Sequence, residues 1–503
     1  MDRHLSATLM ALDVTTTECA IAVCDAEGRE DYAATAMRGG LQWQHDAAFP
    51  GFETAEVPLM IGELLQQLEA KGWSLRGAAS QPRYVSVSCR QHDLVLLNAA
   101  GQPLTPALSW QCNAATEDVA ELRKRGVETT VGTIEPRFVL PKLRCVLRKD
   151  PALRPGIRTA FMTGDWIAYA LTGQRTLSTS DALSNGLLAQ SNRALAREVI
   201  QTADLDPAWF PEPAQSGSEV GTVLPPAPTV EGSWNVVRDK LQGWRFVAGL
   251  GDNHASGVGC GMRDDHRTLV VSGGTSGTIN LSCPAQAALP ASGKSLRFEF
   301  YGDSLLLLLM LGDCGAWYKR FLRDFAAEYQ QDLNYLNMLA LSSDWSRIRR
   351  VLHSDTEHTE GFAPEWAEST LGEKVAATQF SIVLELLLRV KRMLEEVRGA
   401  GVPETETFIL TGGLSQSLFF QQLFHAGIGC LAPGKAVKVS GRTGPLRYKT
   451  SAYGALINAG LPQYHGRLAD LHASGDRFPL VDCARADAVG QAQLRYLFQS
   501  YGL

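Results

Sequence analysis

Two hairpin-like segments with small polar tips stand about 255 residues apart in this 503-residue chain, and they restrict its folding more than any other feature. In the first, the apolar run Leu9–Val14 meets the tip Thr15-Thr16-Thr17 and returns through Ala20–Cys24, after which Asp25-Ala26-Glu27-Gly28 turns the chain again. In the second, Thr268–Ser272 enters Gly273-Gly274-Thr275-Ser276-Gly277 and leaves through Thr278–Leu281. Small polar residues are ordinary at hairpin tips, so one such segment says little. Two of them, half a chain apart, predict an internal structural duplication. The length agrees, since roughly 100–200 residues per domain gives two to four domains. Leu224-Pro225-Pro226-Ala227-Pro228, followed by Glu231-Gly232-Ser233, reads as a linker near the midpoint. The expected domains are therefore residues 1–245 and 246–503.

Strands and helices alternate between and after the hairpins. Tyr84–Ser88 and Leu94–Leu97 read as strands, residues 116–125 as a helix, and Asp165–Leu171 as a short amphipathic helix closed by Gly173. Phe380, Val383, Leu387, Val390, Leu394 and Val397 fall on one face of a long helix that Gly399 should stop. That stripe is core packing. Strand Phe408–Leu410 then meets Thr411-Gly412-Gly413, and a helix begins near Ser417.

Composition removes several classes of function. With 47 Lys+Arg against 53 Asp+Glu the formal charge is −6, and no long run of Lys and Arg exists to attract nucleic acid. The apolar run Leu305–Leu311 is far shorter than the roughly 20 residues a membrane helix needs. Leu9–Leu12, ended by Asp13, falls short of the about 7–15 apolar residues of a secretory signal. Ten cysteines with no Cys-x-x-Cys pair suit reduced thiols, so a cytoplasmic location is expected. The ten histidines include no His-Glu-x-x-His, which argues against a dedicated zinc site.

Two nucleotide-like motifs prove to be decoys. Ala288–Ser295 ends in Gly-Lys-Ser like a P-loop, but Ala288 stands where Gly is needed and the alternating Leu296–Phe300 predicts a following strand. Gly249-Leu250-Gly251 has two glycines of a dinucleotide fingerprint, yet Asp252 within that loop would repel a pyrophosphate. The same Asp252 ends the strand Phe246–Leu250 and precedes the small residues Ala255–Gly261, so it suits a carboxylate facing a cleft. An Asp bonded within its own turn is the simpler alternative. Asp13, ending the first strand, suits a hydrated Mg²⁺, because hard cations take carboxylate and water oxygens. Thr411-Gly412-Gly413 lets a ligand approach the backbone at a helix start, where free N–H groups attract anions. Two phosphate-cradling hairpins, a Gly-Gly turn and two strand-end carboxylates are the equipment of a phosphotransferase using Mg-ATP.

The order Asp13-Val14-Thr15-Thr16-Thr17, Gly251-Asp252-Asn253, Gly274-Thr275-Ser276-Gly277, Thr411-Gly412-Gly413 and Ala452-Tyr453-Gly454-Ala455 resembles the FGGY carbohydrate kinase family. Pro141-Lys142-Leu143, Gly164-Asp165-Trp166 and Ser180-Asp181-Ala182 resemble further landmarks of that family. The resemblance implies an α/β fold of two actin-like, ribonuclease H-like domains with an interdomain cleft. It implies Asp252 as catalytic base, Asp13 and Asp252 beside Mg²⁺, and Thr16 and Thr17 in the first phosphate loop. Gly274 and Thr275 would form the second phosphate loop, with Gly412, Gly413 and Ser417 at the nucleotide. The sugar would meet Gln91, His92, Trp110, Asp252 and Asn253. Sugar and ATP are the implied partners, and a homodimer is the candidate assembly.

Gln91-His92 is similar to the Met-His of xylulokinases, whereas Gln111-Cys112 is similar to glycerol kinases without their basic residues at Asn113-Ala114. The expected acceptor is a ketopentose, D-xylulose first, with ribulose, pentitols and glycerol as alternatives. Three positions depart from the family pattern: Thr15 replaces a Gly, Leu414 a small residue, and Cys145 a Trp. A β-branched Thr15 resists positive φ, so the first tip is expected to differ or to bind ATP less well. Two other classes stay open. One is a non-catalytic descendant, which Thr15 favours and the pair Asp13 and Asp252 opposes. The other is an actin- or chaperone-like ATPase, whose hydrolysis no polyol would accelerate.

Overall fold

The computed structural model describes residues 5–38, 40–42, 49–76, 81–227, 232–274, 276–290, 293–301, 303–330, 332–351, 369–440, 446, 449–464 and 480–503. Thr275, and Pro228 and Glu231 of the expected linker, lie outside the described residues. Two compact units are present. One comprises Met1–Gly259, Arg297–Gly302 and Thr443–Gly475, the other Cys260–Leu296, Asp303–Arg442 and Asp476–Leu503.

A seven-stranded sheet organises the first unit, in the order Glu219–Thr222, Arg245–Gly251, Tyr84–Cys89, Leu5–Val14, Glu18–Asp25, Glu30–Ala36, with Trp73–Ser74 beside the start of Leu5–Val14. Leu5–Val14 runs antiparallel to its hairpin partner and parallel to Tyr84–Cys89, so Leu12 faces Ile21 on one side and Val87 on the other. Met10, Ala11, Leu12 and Val14 are wholly buried. A central strand covered on both faces reads as a continuous apolar run, which is why it was visible in the sequence.

The second unit repeats this order. Ser304–Leu311, Gly277–Pro284 and Thr268–Gly273 are antiparallel neighbours, Thr407–Thr411 and Ala436–Ser440 continue in parallel, and Leu480–Asp482 closes antiparallel. In each unit the hairpin's first strand pairs with a much later parallel strand. The duplication expected from the two tips is thus present in the strand order.

The expected boundary at residue 245 is displaced. Arg245–Gly251 is a strand of the first sheet, parallel to Tyr84–Cys89 and antiparallel to Glu219–Thr222. The Pro-rich stretch therefore joins two strands of one sheet, and Gly232 and Ser233 open the helix Gly232–Leu241. Asp252 accordingly lies in the first unit, where the sequence reading had assigned it to the second.

The long helix runs Leu371–Val397 and opens on a capping box, Thr370 bonding Glu373 N–H while the Glu373 carboxylate accepts from Thr370 N–H. Gly399 follows at φ +76°. The shorter helix Thr163–Thr172 ends on Gly173 in the left-handed region, as its sequence predicts. All ten cysteines are free thiols. No helix among the described residues is long and apolar enough to cross a membrane.

Candidate active site

Asp13 is the penultimate residue of its strand, only 2% exposed, in register with Ala20 and Ser88. Ser451 Oγ donates to its Oδ2 at 2.7 Å, whereas Oδ1 has no hydrogen-bond partner among the described residues. Burial pushes this carboxyl up to about 6, against the opposing Ser451 bond. Asp252 follows its strand directly and opens the helix Asp252–Gly259. Its Oδ1 accepts from Asn253 N–H at 2.9 Å. Removal from water nonetheless pushes Asp252 up to about 7, and the charges of Asp13 and Asp93 add to the rise.

These two carboxyls fit a hard cation. Asp13 Oδ1 is a buried carboxylate oxygen with no hydrogen-bond partner among the described residues, and such an oxygen is costly unless a cation meets it. Among the described residues no cluster of three or more His, Cys, Asp or Glu could hold a metal. Water and phosphate oxygens would complete the shell of a Mg²⁺ bound at Asp13 and Asp252.

Beside Asp252 lies the loop that carries Gln91 and His92. Asn253 Nδ2 donates to Gln91 Oε1 at 3.0 Å, while Gln91 Nε2 is buried with no partner among the described residues. That leaves both N–H donors of the amide uncommitted. His92 adopts φ +74°, stacks on Phe138 at 4.6 Å and meets Asn185 Oδ1 through Nδ1 at 3.1 Å. Burial holds it neutral, well below the ordinary histidine range.

Lys142 holds this loop from beneath. Fully buried, it donates to the carbonyls of His92 and of Ser109, and desolvation pushes its pKa down to about 8. The Pro-Lys-Leu landmark was noticed in the sequence, but nothing local revealed that its lysine supports the Gln91–His92 loop. Trp110 is also differently engaged than expected. Its indole N–H donates to Thr16 Oγ1 at 2.9 Å, committing its only side-chain donor to the first tip.

The first tip shows how Thr15 is accommodated. Thr15 keeps negative φ, its N–H and hydroxyl both donate to the Glu18 carbonyl (2.8 and 3.0 Å), and Glu18 N–H donates back to Oγ1 at 3.2 Å. The tip differs from a Gly turn by gaining a side-chain clasp. Thr17 is exposed and Thr16 half-buried.

In the second unit, a cavity of about 880 Å³ is lined by Gly274, Tyr318, Asn337, Gln379, Gly413 and Ser417, among others. Gly412 has φ +87°, and a Cβ there would lie 2.6 Å from the Gly273 carbonyl carbon. Only Gly permits the two turns to meet so closely. A Cβ on Gly413 would instead meet open space, so this backbone faces the cavity freely. Ser417 lines the cavity but its hydroxyl is occupied: it caps the helix Leu418–Leu431 through Phe420 N–H and donates to Gln379 Oε1 at 2.9 Å. Gln379 Nε2 then bonds Asn337 Oδ1 at 2.9 Å. The sequence reading missed Gln379, because it sits beside the apolar stripe of the long helix. Leu414 is buried beside Gly273 and lines the same cavity.

Residues 9–259 match the model of the FGGY family of carbohydrate kinases, N-terminal domain. The chain is 30% identical over 262 residues to the xylulose kinase of Streptomyces coelicolor, covering 50% of each. It thus spans about half the length of the curated relatives it matches. Over whole chains, its fold is similar to that of a xylulose kinase from Rhodospirillum rubrum (TM-score 0.76, 18% identity, 98% and 97% covered). A gluconate kinase from Lactobacillus acidophilus superimposes as well (TM-score 0.77, 16% identity, 99% and 97% covered).

Proposed function

Because the chain belongs, through residues 9–259, to the FGGY family of carbohydrate kinases, we propose that it is an ATP-dependent sugar kinase whose acceptor is a ketopentose, D-xylulose first. The observation that carries this reading is Asp252: a half-buried carboxyl at a strand end, held at about 7, with the Gln91–Asn253 pair beside it. Such a group is basic enough to accept a proton and still partly ionised at neutral pH. As the sugar oxygen bonds to the γ-phosphorus, its proton passes to Asp252 and the bond from that phosphorus to the ADP oxygen breaks. Mg²⁺, held by Asp13 and Asp252, supplies positive charge to the phosphoryl oxygens when bound. Backbone N–H groups at the glycine turns Gly273–Gly274 and Gly412–Gly413 are the donors for the nucleotide phosphates.

His92 and the xylulose kinase relatives support a ketopentose over other acceptors. Buried free thiols support a reducing, cytoplasmic setting. The test is ADP release with Mg-ATP across D-xylulose, L-xylulose, D-ribulose, L-ribulose, glycerol, pentitols and gluconate. Strong acceleration by one ketopentose is expected. Acceleration by glycerol or gluconate alone would overturn the acceptor, and none by any of them the kinase. Asp252→Ala should lose roughly three or more orders of magnitude in kcat with an unchanged circular dichroism spectrum. Full sugar-dependent activity in that variant would remove Asp252 as the base.

A further inference from the structure

Ser180 belongs to the short helix Thr179–Ser184 and is wholly buried. Its hydroxyl stands between the two sides of Asp252. Gly251 N–H, immediately before the carboxylate, donates to Ser180 Oγ at 3.2 Å. His254 Nδ1, two residues beyond it, lies 3.1 Å from the same oxygen. Nδ1 of a neutral imidazole can accept the serine O–H as a hydrogen bond. The ring has little room to turn away, packed against Phe300 and Tyr301 with centroids 4.9 Å from each.

The serine is itself fixed. Ser180 N–H donates to Ser216 Oγ at 3.2 Å, and Ser216 Oγ donates to the buried Glu299 Oε2 at 2.9 Å. Ser178 Oγ donates to the Gly249 carbonyl at 2.6 Å, pinning the strand two residues upstream. A single hydroxyl thus bonds the backbone before the carboxylate and the side chain after it, from a support that is hydrogen-bonded in turn.

We propose that Ser180 is a positioning residue for Asp252, its hydroxyl clamping Gly251 and His254 so that the intervening carboxylate keeps one direction. This rests on reading Asp252 as the proton acceptor. Ser180 touches neither substrate nor the carboxylate, so its loss should misdirect the base without weakening either ligand. Catalysis is more sensitive to such misplacement than binding is.

Ser180→Ala in the full chain is expected to lower kcat about tenfold while the KM values for sugar and ATP stay within about twofold. His254→Phe, which keeps a ring against Phe300 and Tyr301, should give a similar loss. The double variant should be no worse than the poorer single one, since one clamp is broken in each. A second readout needs no turnover: amide hydrogen exchange at Gly251, whose N–H loses its acceptor in Ser180→Ala and should exchange at least about tenfold faster. A kcat equal to the parent's, or a loss matched by a lower folded fraction with the Gly251 exchange unmoved, would overturn the proposal. If no acceptor stimulates ADP release in the parent, the kinase reading fails while the Gly251 exchange still decides the role of Ser180.

Discussion

Asp252 sits where two opposing influences meet. The start of a helix favours its charge, and burial opposes it. Burial wins, leaving the group at about 7. A base acts only when ionised, so kcat/KM for the sugar should fall as pH drops through about 7 and level off above it. A profile flat from about pH 6 to about pH 8 would exclude this carboxyl as the proton acceptor. Thr15 carries the opposite lesson about substitution. Read as a sequence, it was a Gly replaced by something stiffer. In the structure its hydroxyl closes the turn onto Glu18. Thr15→Gly should therefore lower Tm, by the equivalent of about 1 kcal/mol, and leave the Kd for ATP no tighter. Calorimetry and nucleotide titration check both parts, and a tighter Kd would restore the idea that Thr15 damages the phosphate loop.

Elements show most clearly what was legible. The hairpins and the long helix were readable because their patterns, apolar runs around a small polar tip and a three-four apolar repeat, are local. The Pro-rich stretch was misread as a linker for the complementary reason. Whether a loop leaves a sheet or returns to it depends on the pairing of Arg245–Gly251 with Tyr84–Cys89, which no neighbouring residue encodes. Local pattern also gave Asp13, Asp252 and the Gly-Gly turn, but not the long-range bonds around them: Ser451 to Asp13, Ser180 to Gly251, Lys142 to the His92 carbonyl and Gln379 to Ser417 all join distant segments. The helix Thr450–Gly460 illustrates this at closest range. A Cβ on Gly454 would lie 1.8 Å from the Ala255 carbonyl oxygen, and one on Gly259 1.9 Å from that of Thr450. The two helices cross backbone against backbone, and one of them begins with Asp252. Gly454→Ala must part them. It should cost about 1–3 kcal/mol of stability and lower kcat about tenfold or more. Unchanged melting and turnover would mean that the crossing does not position the carboxylate.

At the scale of the whole molecule, the candidate ligand-binding features divide between the two units. The acid pair and the Gln91–His92 loop belong to the first unit, and the glycine-lined cavity to the second. Ligands should therefore leave separate imprints in amide hydrogen exchange. A non-hydrolysable ATP analogue should slow exchange around Gly273–Gly274, Tyr318 and Gly412–Ser417, and the acceptor sugar around Cys89–Asp93 and Gly251–His254. Sugar protection centred on the glycine turns would reverse the assignment of the two units.

The crossing of Asp252–Gly259 by Thr450–Gly460 also bears on how the protein is made. A ribosome delivers the strands of the first sheet early, through Gly251, but the helix that covers Ala255 and Gly259 leaves the exit tunnel only after most of the second unit has been translated. The nascent N-terminal half must wait with that seam open, although chains of this size commonly fold one domain at a time from the N-terminus. Cutting the gene after Gly259 would yield a fragment lacking its own closing piece. Most of the second unit is, in effect, an insertion that the first must outlast before it can finish.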